Sequence, residues 1–360
     1  MSILFKSSAL HLLALGIVFV FAVPSTKRAS CTISSYDTDV SDCSLVTISA
    51  FTVPDGEVID WTFADGAEVT MAGNITFEQT SADGPLATFD GDGIIFKGAG
   101  YTLDGNGADY WDGEGTNGGV AKPHPFLKIT GSGTYTDFTV LNTPAQAVSV
   151  GGEGLTLDAI TVDNSAGDED SLGHNTDGFD VSASSITIKN CIVKNQDDCI
   201  AINSGSSITF ENNQCSGGHG MFVGSIQSGK IVSNVTFSGN EVSNSMYGIR
   251  IKVESDADDG ASVSGITYSG NTVTGIDKYG VLISQSYPDD FSTPGTGSTI
   301  SDINFTGEET SVEVTGSSGE RLAIDCGNCS GDWDFSELTI TGGSAGTMDV
   351  DDASISGGSY

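Results

Sequence analysis

Four short polar clusters between residues 175 and 252 contain the side chains that could do chemistry. They are Asn175-Thr176-Asp177, Gln196-Asp197-Asp198, Gly218-His219-Gly220 and Arg250-Ile251-Lys252. Carboxylates and imidazoles transfer protons and activate water, whereas Arg and Lys bind anionic groups. This combination predicts acid/base chemistry on a substrate that carries negative charge.

A short framework recurs beside the clusters: a small residue, then an apolar, any, apolar triplet. Its six instances begin at Ala147, Gly178, Cys199, Gly220, Gly248 and Gly280. A strand-sized unit that returns about every 20 to 30 residues is typical of a solenoid. Because such short strands need partners in the coils above and below, the repeat predicts an all-β fold, a right-handed parallel β-helix built as a single domain.

Stacked coils would bring the clusters together. Asp177, Asp198 and His219 each directly precede a framework small residue, so they are predicted to form one column over three coils about 4.8 Å apart. Asp197 lies beside this column. Turn aspartates are common in such folds, but stacked carboxylates repel each other, and no structural role favours that arrangement. His219 lies between glycines, which leave room for a ligand; the alternative is a simple turn residue.

Two cations follow on the next coil. Arg250 and Lys252 alternate with isoleucines, so both are predicted to point outward on the face of the carboxylates. A basic pair is ordinarily a solvated surface, but in so acidic a chain an anion-binding role is favoured. Tyr279 is predicted in the same column two coils beyond His219, either as a stacking platform for a sugar or as an edge aromatic.

Composition agrees with the all-β prediction and limits the partners. The chain has 360 residues, 48 of them Gly, and no long stretch has helical periodicity. Lys and Arg total 13 against 48 Asp and Glu, which gives a net charge of −35. Nucleic acids and anionic membranes bind basic patches, so neither is expected as a partner.

The N-terminus predicts secretion. Residues 1–23 have the features of a signal peptide: an early lysine and an apolar run that is short for a membrane span. Lys27-Arg28 predicts a short propeptide over residues 24–28, and the alternative is a pair of surface charges. The catalytic β-helix is then expected over residues 29–360.

The cysteines and sequons agree with export. The predicted disulfides are Cys31 with Cys43, Cys199 with Cys215, and Cys326 with Cys329, although spacing does not prove connectivity. Cys191 is then left as a buried free thiol. The first disulfide closes a cap over residues 29–50, the one segment that admits a short helix. Asn-x-Ser/Thr sequons, where glycosylation is expected in a eukaryotic host, begin at Asn74, Asn234, Asn304 and Asn328.

Two further patterns concern turns and loops. Asparagine recurs soon after the Thr-rich strands, at Asn190, Asn212, Asn240 and Asn271. These asparagines are predicted to adopt left-handed turn conformations. The stretch 103–113 is too rich in Gly and aromatics for a regular strand and is predicted to be a loop that leaves the barrel near the active face.

In this order and spacing, the four clusters resemble the signature motifs of the polygalacturonases, the pectin-cleaving glycoside hydrolases of family 28. Other segments are also similar, especially to the fungal-type endo-acting members: Tyr110-Trp111-Asp112-Gly113, Asn142-Thr143-Pro144 and Tyr279-Gly280-Val281. The resemblance extends over most of the chain, and every charged signature residue is present.

The resemblance implies hydrolysis of α-1,4-galacturonosyl bonds of polygalacturonate with inversion, and endo action is the expected mode. By this resemblance Asp197 is the general acid, and Asp177 with Asp198 activates the attacking water. His219 would tune the acid or contact the substrate. An inverting hydrolase needs this division into a proton donor and a base with water.

The resemblance also implies a binding set and a list of partners. Arg250, Lys252, Tyr279 and Asn175 would hold galacturonate around the point of cleavage. No cofactor and no metal are expected, and the protein is expected to act as a secreted monomer on pectin.

Three alternatives from other classes stay open. A calcium-dependent pectate lyase would need a calcium cage with a catalytic arginine and would release unsaturated products. A hydrolase of rhamnogalacturonan or substituted pectin is closer, although the Arg-x-Lys pair favours unsubstituted galacturonate. A non-enzymatic carbohydrate-binding β-helix would not need a complete set of three aspartates.

Overall fold

The computed structural model of the protein describes residues 29–258 and 260–360. The predicted signal peptide over residues 1–23 and the predicted propeptide over residues 24–28 lie outside the described residues. The described part is almost entirely β-structure.

Thirty-four strands make up this part of the chain. In chain order, β1 to β34 are Ser30–Ile33, Leu45–Ile48, Phe51–Val53, Ile59–Thr62, Glu68–Met71, Ile75–Phe77, Ala87–Asp90, Ile94–Lys97, Thr102–Asp104, Leu127–Ile129, Gly133–Thr136, Thr139–Leu141, Val148–Val150, Leu155–Asp158, Thr161–Asp163, Phe179–Ser182, Ile186–Lys189, Ile192–Lys194, Asp198–Glu211, Gln214–Ser216, Gly220–Ile226, Ile231–Ser238, Glu241–Ser243, Tyr247–Glu254, Ser262–Ser269, Thr272–Ile276, Tyr279–Tyr287, Thr299–Phe305, Thr310–Val314, Glu320–Cys326, Cys329–Asp334, Leu338–Gly342, Met348–Val350 and Ala353–Ser356. Three short 3-10 helices span Gly107–Asp109, Gly115–Asn117 and Ser165–Ser171.

The strands form two parallel sheets, one of 23 and one of 11 strands, and the larger sheet covers two sides of the coils. One side of the larger sheet, which we call the front sheet, runs through β4, β7, β10, β13, β16, β19, β21, β24, β27, β30 and β33. Its other side contains β1, β2, β5, β8, β11, β14, β17, β19, β22, β25, β28, β31 and β34, and the smaller sheet contains β3, β6, β9, β12, β15, β18, β20, β23, β26, β29 and β32. One coil, for example, passes from β16 to β17 to β18 before it returns to the front sheet. Each of these three strands pairs in parallel with the corresponding strand of the next coil. The predicted right-handed parallel β-helix is confirmed.

Strict alternation directs the framework residues into the interior. Across the front sheet Phe179 pairs with Ile200, which pairs with Met221 and then with Ile249. These side chains are fully buried, while every second residue faces outward. The predicted framework register is therefore correct over these coils.

Aromatic stacks fill much of the interior. Trp61 stacks on Phe89, Phe89 on Phe96, and Phe96 on Tyr135, with ring centroids 5.3 to 5.5 Å apart. Trp61 with Phe89 and Phe96 with Tyr135 are paired positions on adjacent coils, whereas Phe89 and Phe96 lie on one coil, so the stack also crosses the interior. The inward-facing apolar residues form one cluster along the described coils, as expected for a single domain, and a smaller second cluster includes Phe222 and Tyr247.

A column of buried amides, which we call the asparagine ladder, runs through Asn213, Asn240 and Asn271. Asn240 Oδ1 accepts the backbone N–H of Asn213 at 2.9 Å, and Asn240 Nδ2 donates to Asn271 Oδ1 at 2.9 Å. The same Nδ2 donates to the Phe210 carbonyl at 2.9 Å. Each amide thus bonds both its neighbour and the backbone of the coil before it.

The ladder corrects one prediction about turns. Asn190 and Asn212 have the predicted left-handed conformation, with φ of 53° and 54°. At the next two coils Gly239 and Gly270 take that position instead, with φ of 63° and 66°. Asn240 and Asn271 therefore fall one residue later and are fully buried in the ladder rather than in turns.

The N-terminal cap contains strands and no helix. Over residues 29–50 the structure has β1 paired with β2, which the Cys31–Cys43 disulfide joins. The suggestion of a short cap helix was therefore wrong, because the segment continues the β-ladder. The other two predicted disulfides, Cys199–Cys215 and Cys326–Cys329, are also confirmed, and Cys191 is a buried free thiol as predicted.

The four sequon asparagines differ in exposure. Asn74 and Asn234 are exposed, whereas Asn304 and Asn328 are half-buried. Asn328 Nδ2 also donates to the Thr296 carbonyl at 3.1 Å, which occupies the nitrogen that would carry a sugar. None of the helices in residues 29–258 and 260–360 is long and apolar enough to cross a membrane.

Candidate active site

The predicted carboxylates meet on the outer face of the front sheet. The pairing of Phe179 with Ile200 sets Asp177 level with Asp198 on adjacent coils, and Asp197 adjoins Asp198. We call Asp177, Asp198 and His219 the acidic column. The sequence thus placed these side chains on the correct face.

A β-bulge modifies the predicted column. Asp198 pairs with Gly220, and the ladder returns to the framework register only at Ile200 with Met221. His219 is therefore not level with Asp198, and its Nδ1 lies 3.7 Å from Asp198 Oδ1 but 3.0 Å from Asp197 Oδ1. The extra residue in the bulged strand moves the imidazole toward Asp197, which the regular repeat did not predict.

Asp177 is a buried carboxyl group, and one of its oxygen atoms accepts no hydrogen bond from the part of the chain that the structure describes. Its Oδ1 is buried and has no hydrogen-bond partner among the described residues. Burial, followed by the charges of Asp197, Asp180 and Asp198, raises its pKa well above the usual value. Asp177 therefore binds a proton more readily than an isolated aspartate does.

Asp197 lies in the opposite environment. Its Oδ1 accepts the backbone N–H of Asp198 at 2.9 Å, and its Oδ2 accepts Asn175 Nδ2 at 3.1 Å. Burial opposes ionisation, but the hydrogen bond and charge of His219 outweigh it and lower the pKa of Asp197. For His219, burial opposes protonation, but Asp197 and Asp198 raise its pKa to about 9. The free site thus contains an imidazolium–carboxylate pair.

The two predicted cations lie on the expected face, but both are covered and paired. Lys252 Nζ donates to Asp198 Oδ2 at 3.0 Å, and its side chain is 12% exposed. Arg250 Nη2 lies 2.8 Å from Asp290 Oδ1, and its side chain is 5% exposed. Neither Arg250 nor Lys252 is therefore a solvated surface charge, which was the alternative interpretation of the basic pair.

Tyr279 lies in the predicted column and stacks on a neighbour that the sequence argument missed. It pairs with Tyr247 in the ladder, and the two rings are parallel with centroids 6.0 Å apart. Tyr247 in turn contacts the His219 ring edge-on at 5.9 Å. An aromatic row therefore extends from the imidazole toward the C-terminal coils.

The predicted loop after residue 103 does reach the site. Thr116, in a 3-10 helix of this loop, donates its backbone N–H and its hydroxyl to Asn175 Oδ1 at 3.0 and 3.2 Å. Asp112 holds the loop by accepting Lys122 Nζ at 2.7 Å and two backbone N–H groups, and these bonds lower its pKa to about 2. Asn175 consequently links the loop to Asp197.

An open cavity of about 450 Å³ adjoins His219. Its wall includes His174, Gln196, Met246 and Asp277. Of the acidic column only His219 lines this cavity, so the space that a sugar could occupy adjoins the carboxylates through His219 and Gln196.

Four residues of the site were not selected from the sequence: Asp180, Tyr247, Asp290 and Thr116. Asp180 occupies the same outward-facing position in its strand as Arg250, and the two-residue alternation could have identified it. Burial and the charges of Asp198 and Asp197 raise its pKa to about 7. Tyr247 directly precedes Gly248, so the framework rule would also have found it. No sequence pattern indicated Asp290 or Thr116, because both are on irregular loops.

Asp197, Asp198 and His219 could in principle hold a metal ion, since their ligand atoms lie within 4.8 Å of one another. Two features of the donor set fit poorly. The Lys252 ammonium already neutralises Asp198, and the raised pKa of His219 favours a protonated ring, which cannot ligate. The expectation of no metal stays a prediction.

The chain is similar to known glycosidases over most of its length. The model of "Glycosyl hydrolases family 28" matches residues 43–356. Endopolygalacturonase A of Aspergillus niger is 43% identical over 337 residues, with 88% of each chain covered, and a polygalacturonase of Cochliobolus carbonum is 44% identical over 341 residues, with 90% and 92% covered.

Solved structures agree with this assignment. Endopolygalacturonase I from Stereum purpureum, complexed with two galacturonate, has a TM-score of 0.90 and 61% identity, with 92% of this chain and 100% of that chain covered. The polygalacturonase from Erwinia carotovora, at 18% identity and a TM-score of 0.59, shares the fold. The chain therefore belongs to the glycosyl hydrolases of family 28 and is a glycoside hydrolase.

Proposed function

We propose that this protein is a pectin-degrading endopolygalacturonase, which hydrolyses α-1,4-galacturonosyl bonds inside polygalacturonate by a single displacement with inversion. The observation that carries this proposal is the convergence of Asp177, Asp197 and Asp198 on one outer face together with Arg250 and Lys252. The names of the similar proteins support the choice of substrate and of endo action.

Asp197 acts in this proposal as the general acid. Its Oδ1 and His219 Nδ1 lie 3.0 Å apart, so one proton is shared across this contact. When a glycosidic oxygen approaches Asp197, the carboxyl group donates that proton and the leaving oxygen takes up the bonding electron pair. His219 supplies the proton to Asp197, which agrees with the expectation that it tunes the acid. Such proton transfer typically contributes about 10²- to 10⁴-fold to the rate.

Asp198 and Asp177 together activate the attacking water. Asp198 Oδ2 is paired with the Lys252 ammonium, and in this proposal the Asp198 carboxylate accepts the proton of the attacking water. The raised pKa of Asp177 favours a proton on its carboxyl group, and its unpaired Oδ1 is a second contact for water. The role of base is therefore assigned to Asp198 and Asp177 as a pair.

The binding set surrounds these acids. Arg250 and Lys252 are the proposed anchors for galacturonate carboxylates, and Tyr279 is the proposed stacking platform for a sugar ring. Asn175, which donates to Asp197, would also contact the substrate. Because the net charge of −35 repels a polyanion at long range, these cations act only within a screening length of about 8 to 10 Å.

The remaining features of the proposal follow from the sequence. Residues 1–23 are the proposed signal peptide, 24–28 the propeptide and 29–360 the catalytic domain of a secreted monomer. Three disulfides are consistent with an oxidising extracellular compartment. The sequons at Asn74 and Asn234 are the better candidates for glycosylation, because both side chains are exposed.

The test is incubation of the purified protein with polygalacturonate. We expect reducing ends to appear together with a rapid loss of viscosity and a broad range of oligomers, and NMR should detect the β-anomer first. Ultraviolet-absorbing unsaturated products would instead indicate a lyase. Release of monomer alone from chain ends would contradict endo action, and an absence of any cleavage would contradict the enzyme assignment for this substrate.

A further inference from the structure

A carboxylate of the protein itself occupies a cationic cage beside the proposed sugar-binding residues. Asp290 Oδ1 lies 2.8 Å from Arg250 Nη2, and its Oδ2 contacts Lys278 Nζ. The Tyr247 hydroxyl donates to both carboxylate oxygens, at 3.0 and 2.9 Å. We call Arg250, Lys278 and Tyr247 the carboxylate cage.

The loop after β27 fixes Asp290 in this place. The Ser292 N–H donates to the buried Asp325 carboxylate at 3.0 Å, and the Gly295 N–H donates to the Gln285 carbonyl at 2.8 Å. Phe291 packs against an apolar cluster on the outer face that includes Tyr247. These contacts directly follow Asp290 in the chain, so they hold it at the cage in addition to the attraction between opposite charges.

The cage has more donors than Asp290 uses. The Arg250 guanidinium lies over the rings of Tyr247 and Phe222, 4.7 and 5.4 Å from their centroids, and the residue is 4% exposed. Its Nε atom is buried and has no hydrogen-bond acceptor among the described residues, and its Nη2 contacts Asp290 Oδ1 without the geometry of a hydrogen bond. A buried guanidinium with open donors is a binding site for a planar anion such as a carboxylate.

We propose that Asp290 is a built-in counter-carboxylate that competes with the acidic sugar for the carboxylate cage and so sets the affinity of this subsite. This inference rests on the proposed function, in which Arg250 binds galacturonate. Asp290 and galacturonate present the same chemical group to the same cations. Because the loop holds Asp290 close to the cage, an incoming carboxylate must displace or share it, and the apparent affinity falls accordingly.

The consequence for turnover is easier release of the cleaved product. Each galacturonate residue carries one carboxylate, so a polymer offers many contacts at once, whereas a short product depends more on each one. A competitor fixed in one subsite lowers the affinity of every ligand that fills it by the same factor. The short product, which has few other contacts, then dissociates readily, whereas the polymer stays bound through its further contacts.

The experiment compares Asp290→Asn with Asp289→Asn. Both substitutions remove one negative charge from the same loop, but the Asp289 side chain is exposed and has no bond or ion pair with the rest of the described chain. Calorimetry then measures binding of D-galacturonate to each protein, with D-galactose as the uncharged probe. We expect Asp290→Asn to lower the Kd for galacturonate about two- to fivefold, the upper part of the range for one charge pair near the surface. Asp289→Asn should leave it unchanged.

Inhibition of polygalacturonate cleavage by galacturonate provides an independent measurement. Its inhibition constant should fall in Asp290→Asn by a similar factor. A Kd that stays the same or rises in Asp290→Asn would overturn the proposal, because Asp290 would then orient Arg250 rather than compete. Asp290→Ala is the second variant, and it should tighten binding in the same direction; thermal melting verifies that each variant is folded.

Failure of the inference can be distinguished from failure of the proposed function. If the wild type cleaves polygalacturonate and Asp290→Asn binds galacturonate no more tightly, only the role of Asp290 is wrong. If the wild type does not cleave polygalacturonate, the proposed function is wrong, whatever the binding measurement gives.

Discussion

The asparagine ladder and the acidic column are produced by the same stacking of coils, but they differ in how their polar groups are paired. In the ladder, Asn240 makes bonds to Asn213, Asn271 and the Phe210 carbonyl. In the acidic column, like charges lie on adjacent coils, and Asp177 Oδ1 is buried without a partner. Both columns recur at the spacing of the coils, and their side chains are buried except for that of His219, which is half-buried.

The difference separates stability from chemistry. A buried amide that is fully bonded adds to stability, whereas a buried acceptor without a partner costs about 1 to 3 kcal/mol. The acidic column has this cost at Asp177, and the burial that causes it also raises the pKa of Asp177. We therefore expect substitutions in the ladder to affect unfolding and substitutions at the acids to affect turnover.

The largest expected effect is on turnover. Asp197→Asn removes the proposed proton donor but keeps the size of the side chain, so kcat on polygalacturonate should fall at least about 100-fold. Initial rates of reducing-end release measure this, and circular dichroism verifies the fold. Turnover above about a tenth of the wild-type value would rule out Asp197 as the general acid.

The second effect tests the other side of the comparison. Asn240→Ala removes the partner of Asn213, Asn271 and the Phe210 carbonyl, and it should lower the free energy of unfolding by about 3 kcal/mol. Urea unfolding measures this. The matched variant in the acidic column is Asp177→Asn, which should leave the free energy of unfolding at pH 7 unchanged or higher while abolishing activity. If Asp177→Asn destabilised as much as Asn240→Ala, the contrast between the columns would be wrong.

The third effect is a pH dependence of stability. The pKa of His219 rises from 6.5 to about 9 on folding, so its ion pair contributes stability fully below pH 6.5 and loses it as pH rises through 9. The thermal midpoint of the wild type should therefore exceed that of His219→Gln at pH 6, and the difference should shrink toward pH 9.

Asp180 shifts stability in the same direction by a different route. Its folded pKa of about 7 lies above the ordinary 3.8, so the folded chain keeps this proton longer and stability falls as pH rises between these values. The thermal midpoint of Asp180→Asn should consequently rise relative to that of the wild type between pH 4 and pH 7. A difference that does not change over this range would show that the Asp180 carboxyl group titrates normally.

The smallest effect concerns the loop. Thr116→Val removes one of the two donors that orient the Asn175 amide toward Asp197, so kcat/KM should fall about two- to tenfold. The pH profile of kcat/KM should also shift, because Asn175 stabilises the ionised Asp197. Thr116→Ser keeps the hydroxyl and should behave as the wild type. A loss in Thr116→Ser with none in Thr116→Val would mean that the threonine methyl group, not the hydroxyl, matters.

Much of the front sheet could be predicted from the repeat. The framework gave the inward register of Phe179, Ile200 and Met221, and it placed Asp177, Asp198 and Arg250 on the outer face. The prediction failed where one residue interrupts the repeat. The bulge at Asp198 moves His219 to Asp197, and the left-handed Gly239 moves Asn240 from a turn into the ladder.

The sequence by itself determined the coil repeat, the alternation of buried and outward residues, and the identity of the acids, because these depend on a two-residue period and on local turn chemistry. Only the tertiary structure decided what each charge contacts. Arg250 is paired with Asp290 and Asn175 is oriented by Thr116, each across a long stretch of chain. Such pairings depend on where irregular loops dock, and docking depends on packing between distant residues that leaves no period in the sequence.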